Sequence, residues 1–177
     1  MAKENFEQML TGGHPNSLGR TIEVVDLILK DKSKLQDLYM CYFSQDEVVR
    51  LRTSNAFKRV TLEHTEWFED YIDRFITEIS QIDQASTKWT LAILFGYSTD
   101  LMSEDQLKQA KEILKTNLKE EKDWIVLKNT MDTLGKWSAT DPKLKLWLKP
   151  HLERLANHPK KVVPSCARKW LTKLYES

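Results

Sequence analysis

Glycine and proline are scarce, with five of each in 177 residues. A β-rich fold needs frequent tight turns, so this scarcity argues against one. Cysteine is scarcer still: Cys41 and Cys166 are far apart in sequence and fall in helical stretches. They read as reduced thiols of a cytoplasmic protein rather than as a disulfide. No apolar run approaches the length of a membrane span. The opening residues, Met1 to Glu7, are not followed by the apolar segment that a signal peptide requires. Neither sign of charge dominates, since 27 basic side chains face 26 acidic ones. No global field therefore draws the chain to nucleic acid or to an anionic membrane.

Arrangements that carry chemistry are missing too. His14, His64, His151 and His158 form no His-Glu-x-x-His pattern, and no pair sits at i,i+4. Glu63, His64 and Glu66 cluster only where a helix start favours acids anyway. Gly12-Gly13 lacks the Gly-Lys-Ser/Thr ending of a phosphate loop, and no Gly-x-Ser-x-Gly or dinucleotide-binding glycine pattern occurs. Glu69 and Asp70 are adjacent on a helix, splay apart and read as a solvated face. No catalytic, cofactor-binding or metal-ligating residue is assigned, no cofactor is expected, and the chain reads as a non-enzyme.

What the chain does have is a recurring stripe. Val49, Thr53, Ala56, Phe57 and Val60 lie at i, i+4, i+7, i+8 and i+11, one apolar face of a helix. The same columns recur as Thr87, Leu91, Leu94, Phe95 and Ser98, then as Val126, Thr130, Thr133, Leu134 and Trp137. They recur again as Val163, Ala167, Trp170, Leu171 and Leu174. The first column steps from 49 to 87 to 126 to 163, by 38, 39 and 37 residues. A fixed period near 40 built from helix pairs is the mark of an α-solenoid, in which each pair buries its apolar side against the next.

Taken in order, residues 1–16 read as a flexible or short-helix lead-in with Phe6, Met9 and Leu10 on one side. Residues 17–177 read as the solenoid domain. Helices are expected at 17–31, with Leu18, Ile22, Val25 and Leu29 as its stripe, and at 32–43, 46–60, 65–81 and 84–97. Others are expected at 103–121, opened by a Ser103/Gln106 capping box, and at 123–138. The last two are 142–157, which contains Pro150, and 161–175. Most of the six tryptophans occupy stripe positions and read as core.

The stretch Leu148-Lys149-Pro150-His151-Leu152-Glu153-Arg154-Leu155, followed by Val162-Val163 and Ala167-Arg168-Lys169-Trp170-Leu171, resembles a HEAT repeat. Leu35 to Leu38, Ser44 to Arg50 and Ala56-Phe57 look like the same pattern. The likeness covers about residues 32–175. The family's Arg after Val appears only as Arg50; Lys88, Leu127 and Pro164 hold the matching positions. The resemblance implies an all-α, right-handed α-solenoid of about four helix pairs, about nine helices in all, whose second helices line a concave groove. It also implies a non-catalytic scaffold or adaptor that holds a protein or peptide there.

Formal charge is segregated in a way that bears on the partner. The second helices, 45–60, 83–97, 122–138 and 160–175, carry +8; the first helices, 32–43, 64–81, 103–121 and 141–157, carry −2. Arg50, Arg52, Lys58, Arg59, Lys128, Arg168 and Lys169 are therefore the candidate contacts for an acidic partner. The alternative is nucleic-acid binding, as in the HEAT-like alkylpurine DNA glycosylases, with Trp124 beside Asp123 as the feature that permits it.

Overall fold

The computed structural model describes residues 4–176, so the first three residues of the expected lead-in and Ser177 lie outside it. Among the described residues there are ten α-helices and no strand. The chain divides into two compact units, one ending at Thr90 and one beginning at Leu91.

Unit 1 contains α1 (Phe6–Leu10), α2 (Thr21–Lys30), α3 (Leu35–Met40), α4 (Glu47–Glu63), α5 (Ile72–Thr77) and the first residues of α6 (Ala85–Tyr97). α4 is its centre, contacting α1, α2, α3 and the 3-10 segments Cys41–Phe43 and Thr65–Tyr71. Asp46 starts α4 by accepting from the Val48 amide at 2.8 Å. Below the helix lies a cluster of rings. Phe57 is 5.1 Å from Phe75, 5.4 Å from Tyr71 and 5.9 Å from Tyr42 between centroids. Such edge-to-face and tilted contacts add to what burial alone contributes.

Unit 2 contains the rest of α6, then α7 (Glu104–Glu120), α8 (Trp124–Ser138), α9 (Pro142–Leu155) and α10 (Val162–Tyr175). α8 packs on α7, α9 and α10, and α10 packs on α9. Each helix start follows from its residues. Ser103 and Gln106 form the expected capping box, Asp123 accepts from the Ile125 and Val126 amides, and Asp141 accepts from Leu144 ahead of Pro142.

The recurring stripe is real in three dimensions. Its four copies fall on α4, α6, α8 and α10, and of the twenty side chains all but Leu171 are buried. Polar contacts repeat with the same step. In unit 1, Gln84 donates to Glu47 O at 3.0 Å and accepts from Arg50 Nε at 2.7 Å, while Arg74 reaches Gln36. In unit 2, Trp137 Nε1 donates to Thr99 Oγ1 and Trp170 Nε1 to Asp132 Oδ1, both at 2.9 Å. Arg154 donates to Leu118 O at 3.0 Å.

Gly96 and Gly135 occupy the same column, nine residues into their stripes. A Cβ on Gly96 would stand 2.8 Å from Thr133 Oγ1, and one on Gly135 2.3 Å from the Trp170 indole. Thr133 and Trp170 share a column as well, seven residues into the next stripe. Glycine here lets successive helices of the series approach closely.

Three expectations need correction. The helix expected at 17–31 begins only at Thr21, and it buries Thr21, Val24, Val25 and Ile28. Leu18 and Ile22 are 40% and 42% exposed. Gly19, with φ +52°, holds a left-handed turn that separates Leu18 from the helix. The helix expected at 65–81 is instead 3-10 over Thr65–Tyr71, α over Ile72–Thr77 and 3-10 over Ile79–Gln81. The two rings the first segment buries, Phe68 and Tyr71, are three residues apart, the step that eclipses side chains in a 3-10 turn. Finally, only Trp137 and Trp170 are buried among the tryptophans, and Trp124 is 37% exposed.

Candidate partner-binding surface

The seven predicted contact residues do not play one role. Arg52 is the clearest departure. It is 2% exposed and donates to carbonyls of Leu10, Gly12, His14 and Ser17 at 2.7, 2.6, 3.2 and 3.1 Å. It is a structural anchor buried inside unit 1 and is withdrawn as a contact. Arg52 stands three residues after Val49 and four before Ala56, on the apolar face of α4, and that spacing was the signal that set it apart from Arg50.

Arg50 is half-buried, with its guanidinium held by Gln84 and by Ser44 O at 2.6 Å. Arg59 is half-buried and donates to Asn55 Oδ1 at 2.7 Å. Lys58 is half-buried as well; desolvation, then the neighbouring Arg59, push its ammonium below the usual lysine range. These three side chains line a half-buried strip of α4 rather than an open patch.

Lys128, Arg168 and Lys169 belong to unit 2, where a more coherent surface exists. Contacts between α8 and α10 advance together along both helices. Lys160 lies 5.3 Å over the Trp124 ring, Cys166 approaches Lys128 O, and Lys169 and Trp170 reach Asp132. The two helices therefore run parallel, one period apart. On α8 the i, i+4 spacing places Lys128, Asp132 and Lys136 on one face; on α10 it places Lys169 and Lys173 on one face.

Asp132 sits at the middle of this face. It accepts from Lys169 Nζ at 2.5 Å and from Trp170 Nε1 at 2.9 Å, with Lys128 Nζ at 3.1 Å. Burial alone would raise its pKa, but those three donors outweigh it and bring it down to about 2. Lys169 and Lys173 stand 4.9 and 5.1 Å from the Trp170 ring. Two lysines, Lys128 and Lys169, thus meet one carboxylate, Lys173 stands over Trp170 beside them, Lys136 shares the Lys128 face of α8 by its spacing, and Lys160 just before α10 covers the exposed Trp124 ring. Lys136, Lys160 and Lys173 were absent from the predicted set; the i, i+4 spacing from Lys128 and Lys169 could have found Lys136 and Lys173. Arg168 lies off this face and donates to Ala156 O at 2.9 Å.

A second concavity of unit 2, an open cleft of about 430 Å³ between α7 and α9, mixes Lys108, Lys111, Lys115 and Lys143 with Glu104, Glu112 and Asp141. Its charges pair internally, Lys111 with Asp141 at 2.8 Å and Lys115 with Glu112 at 2.9 Å. It presents less unbalanced charge than the α8–α10 face.

Chemistry finds little support. Both cysteines are free and buried, and burial pushes each thiol up to about 12, so neither is a thiolate near neutral pH. Among the described residues no group of three His, Cys, Asp or Glu side chains could hold a metal ion. Asp123, the acid beside Trp124, is occupied as the cap of α8. Among the described residues no helix is long and apolar enough to cross a membrane. Comparison with family models, curated proteins and solved structures found no match to this chain.

Proposed function

We propose that the chain is a non-catalytic binding module whose helix pairs stack as a right-handed, HEAT-like α-solenoid. Its partner is an acidic protein or peptide lying along the lysine face of α8 and α10. The observation that carries this reading is the excess of lysine over acid on that face: Lys128, Lys136, Lys169 and Lys173 project from α8 and α10, whose one carboxylate, Asp132, pairs with Lys128 and Lys169. The one-period step of the polar contacts in each unit, and the burial of the same stripe on α4, α6, α8 and α10, support the stacked architecture. An extended ridge of cations at helical spacing suits an acidic segment through charge complementarity, with Trp124 as an aromatic anchor at the rim.

Fluorescence anisotropy with a labelled glutamate-rich peptide tests the proposal. Saturable binding should weaken about tenfold or more when Lys169 and Lys173 are both changed to Glu, and it should fall as salt rises. No binding of acidic peptide at about 50 mM salt, where screening is weak, would sink the reading.

One observation favours nucleic acid as a second reading. Trp124 is exposed beside Lys160, an arrangement on which an unpaired base can stack. A gel shift at the same low salt separates the two. Tight binding of single-stranded DNA that Trp124→Ala abolishes, with none of the peptide, selects the second reading.

A further inference from the structure

The use that unit 1 makes of Arg52 has a consequence on the outside of the molecule. Residues Thr11–Gly19 form an exposed loop, and a guanidinium 98% removed from solvent holds it from beneath. Among the described residues Arg52 has no carboxylate partner. Its charge is met by carbonyl oxygens: Nη1 donates to Leu10 and Gly12, with Thr11 at 3.4 Å, Nη2 to His14, and Nε to Ser17. Gly13 and Gly19 let the backbone close on it. A Cβ on Gly19 would stand 2.9 Å from Arg52 Cζ. Gly12, Gly13 and Gly19 have φ of +75°, +76° and +52°.

Peptide planarity dictates the rest. In a trans peptide the C=O of one residue and the N–H of the next point in opposite directions. Because the Thr11, Gly12 and Ser17 oxygens turn inward to Arg52, the amides of Gly12, Gly13 and Leu18 turn away from it. None of these three amides meets an acceptor among the described residues. His14 Nδ1 accepts from the Asn16 amide at 3.1 Å, which leaves Nε2 as the imidazole's donor. Successive outward amides make an anion-binding concavity, and a buried cation behind them adds to its potential. The carboxylate of Asp46 accepts from Thr11 Oγ1 at 3.1 Å and caps α4 with its other oxygen.

We propose that the Thr11–Gly19 loop is a preformed binding site for an oxyanion, a carboxylate or a phosphate, recognised by the Gly12 and Gly13 amides, with Arg52 as its positioning residue. This site is in unit 1 and does not depend on the lysine face of unit 2. Loops on a rigid support are where recognition is usually placed, and here one charged side chain sets the shape of nine residues.

The test is an amide-resolved NMR titration of the full chain with sodium phosphate and, separately, sodium acetate, each against sodium chloride at matched ionic strength. Saturable movement of the Gly12 and Gly13 resonances, absent with chloride, is the expected result. Response to phosphate alone or to acetate alone identifies the source of the oxyanion. Arg52→Lys keeps the charge but cannot span the fan of carbonyls, and it should weaken the response about tenfold or more while the circular dichroism stays helical. Should Arg52→Lys fail to fold, Gly12→Ala provides the second variant, since it strains the positive φ without touching the core and should weaken the response likewise. Glycine amides that respond no differently to phosphate, acetate and chloride overturn the proposal. So does an unchanged response in a folded Arg52→Lys protein.

Discussion

In unit 1 the buried stripe of α4 closes on rings, with Phe57, Phe68, Tyr71, Phe75, Tyr39 and Tyr42 within 4.8 to 6.5 Å of their neighbours. In unit 2 the stripes of α6, α8 and α10 close on one another in turn instead, through Gly96 against Thr133 and Gly135 against Trp170 and through indole hydrogen bonds to Thr99 and Asp132. The first arrangement fills volume with large side chains and tolerates wider spacing between backbones. The second brings backbones together and fixes their offset with directional bonds. One residue pattern thus supports two ways of locking a helix series, and the difference predicts where each unit is fragile.

The largest effect belongs to the ring cluster. Phe75 is fully buried and touches Phe57, Phe68, Tyr39 and Tyr42. Phe75→Ala should cost about 3–5 kcal/mol, from lost burial plus the cavity left among rings that cannot all move in. Denaturant midpoints measure it, and a loss below about 1 kcal/mol would mean that the cluster is slack. Arg52→Met comes next in unit 1. It leaves carbonyls of Leu10 and Gly12 without their charged donor, at a cost of about 1.5–3 kcal/mol. Because the loop is exposed, water replaces part of what is lost, so this effect should fall below that of Phe75→Ala.

Glycine sharpens the comparison in unit 2. Gly135→Ala places a methyl within 2.3 to 2.6 Å of indole carbons of Trp170, a ring already pinned to Asp132. Overpacking of this kind costs about 1–3 kcal/mol, offset by up to about 1 kcal/mol of helix propensity. Gly96→Ala meets only the Thr133 hydroxyl at 2.8 Å, which can rotate away from Ala92 O, so its cost should be smaller. A Gly96→Ala variant less stable than Gly135→Ala would contradict the idea that the indole is the rigid element.

Much of this lock was legible before any coordinates. The stripe columns and their step were read correctly because burial on one helix face imposes a strong 3.6-residue signal, and the capping box of Ser103 and Gln106 was named from residue type alone. The failures share a cause: each was decided by a tertiary partner. Arg52 was grouped by charge with Arg50, Lys58 and Arg59, whereas the loop some way upstream in sequence wraps around it alone. Leu18 fitted the helix stripe until Gly19 cut it off. The run from Trp67 to Ile79 carried helix spacing, yet the ring cluster pulls its first part into a 3-10 turn. Lys136 was overlooked because charge was counted helix by helix, whereas the face it shares with Lys128 and Lys169 exists only once α8 and α10 lie side by side.

The smallest effect separates the two indole bonds. Trp137 donates to a neutral hydroxyl and Trp170 to a carboxylate, so only the second should respond to pH. Asp132 has its pKa held at about 2, against an unfolded value of about 3.9. A carboxylate depressed in the folded state contributes stability that is fully present above the unfolded value and disappears as pH falls through the folded one. The window is therefore about pH 4 down to 2, and after solvent screening of this partly exposed group the loss should be about 1 kcal/mol. Other acids are held low as well, Asp31 at about 2 by Lys34 and Ser33 and Asp46 below its usual value by the Val48 amide, so the readout is a difference. The stability gap between the wild type and Asp132→Asn, followed by urea unfolding, should be widest near neutral pH and close by about pH 2, while Thr99→Val shows no such slope. A gap independent of pH would mean that the charge of Asp132 contributes nothing, either through its ion pairs with Lys128 and Lys169 or through its bond to the Trp170 indole.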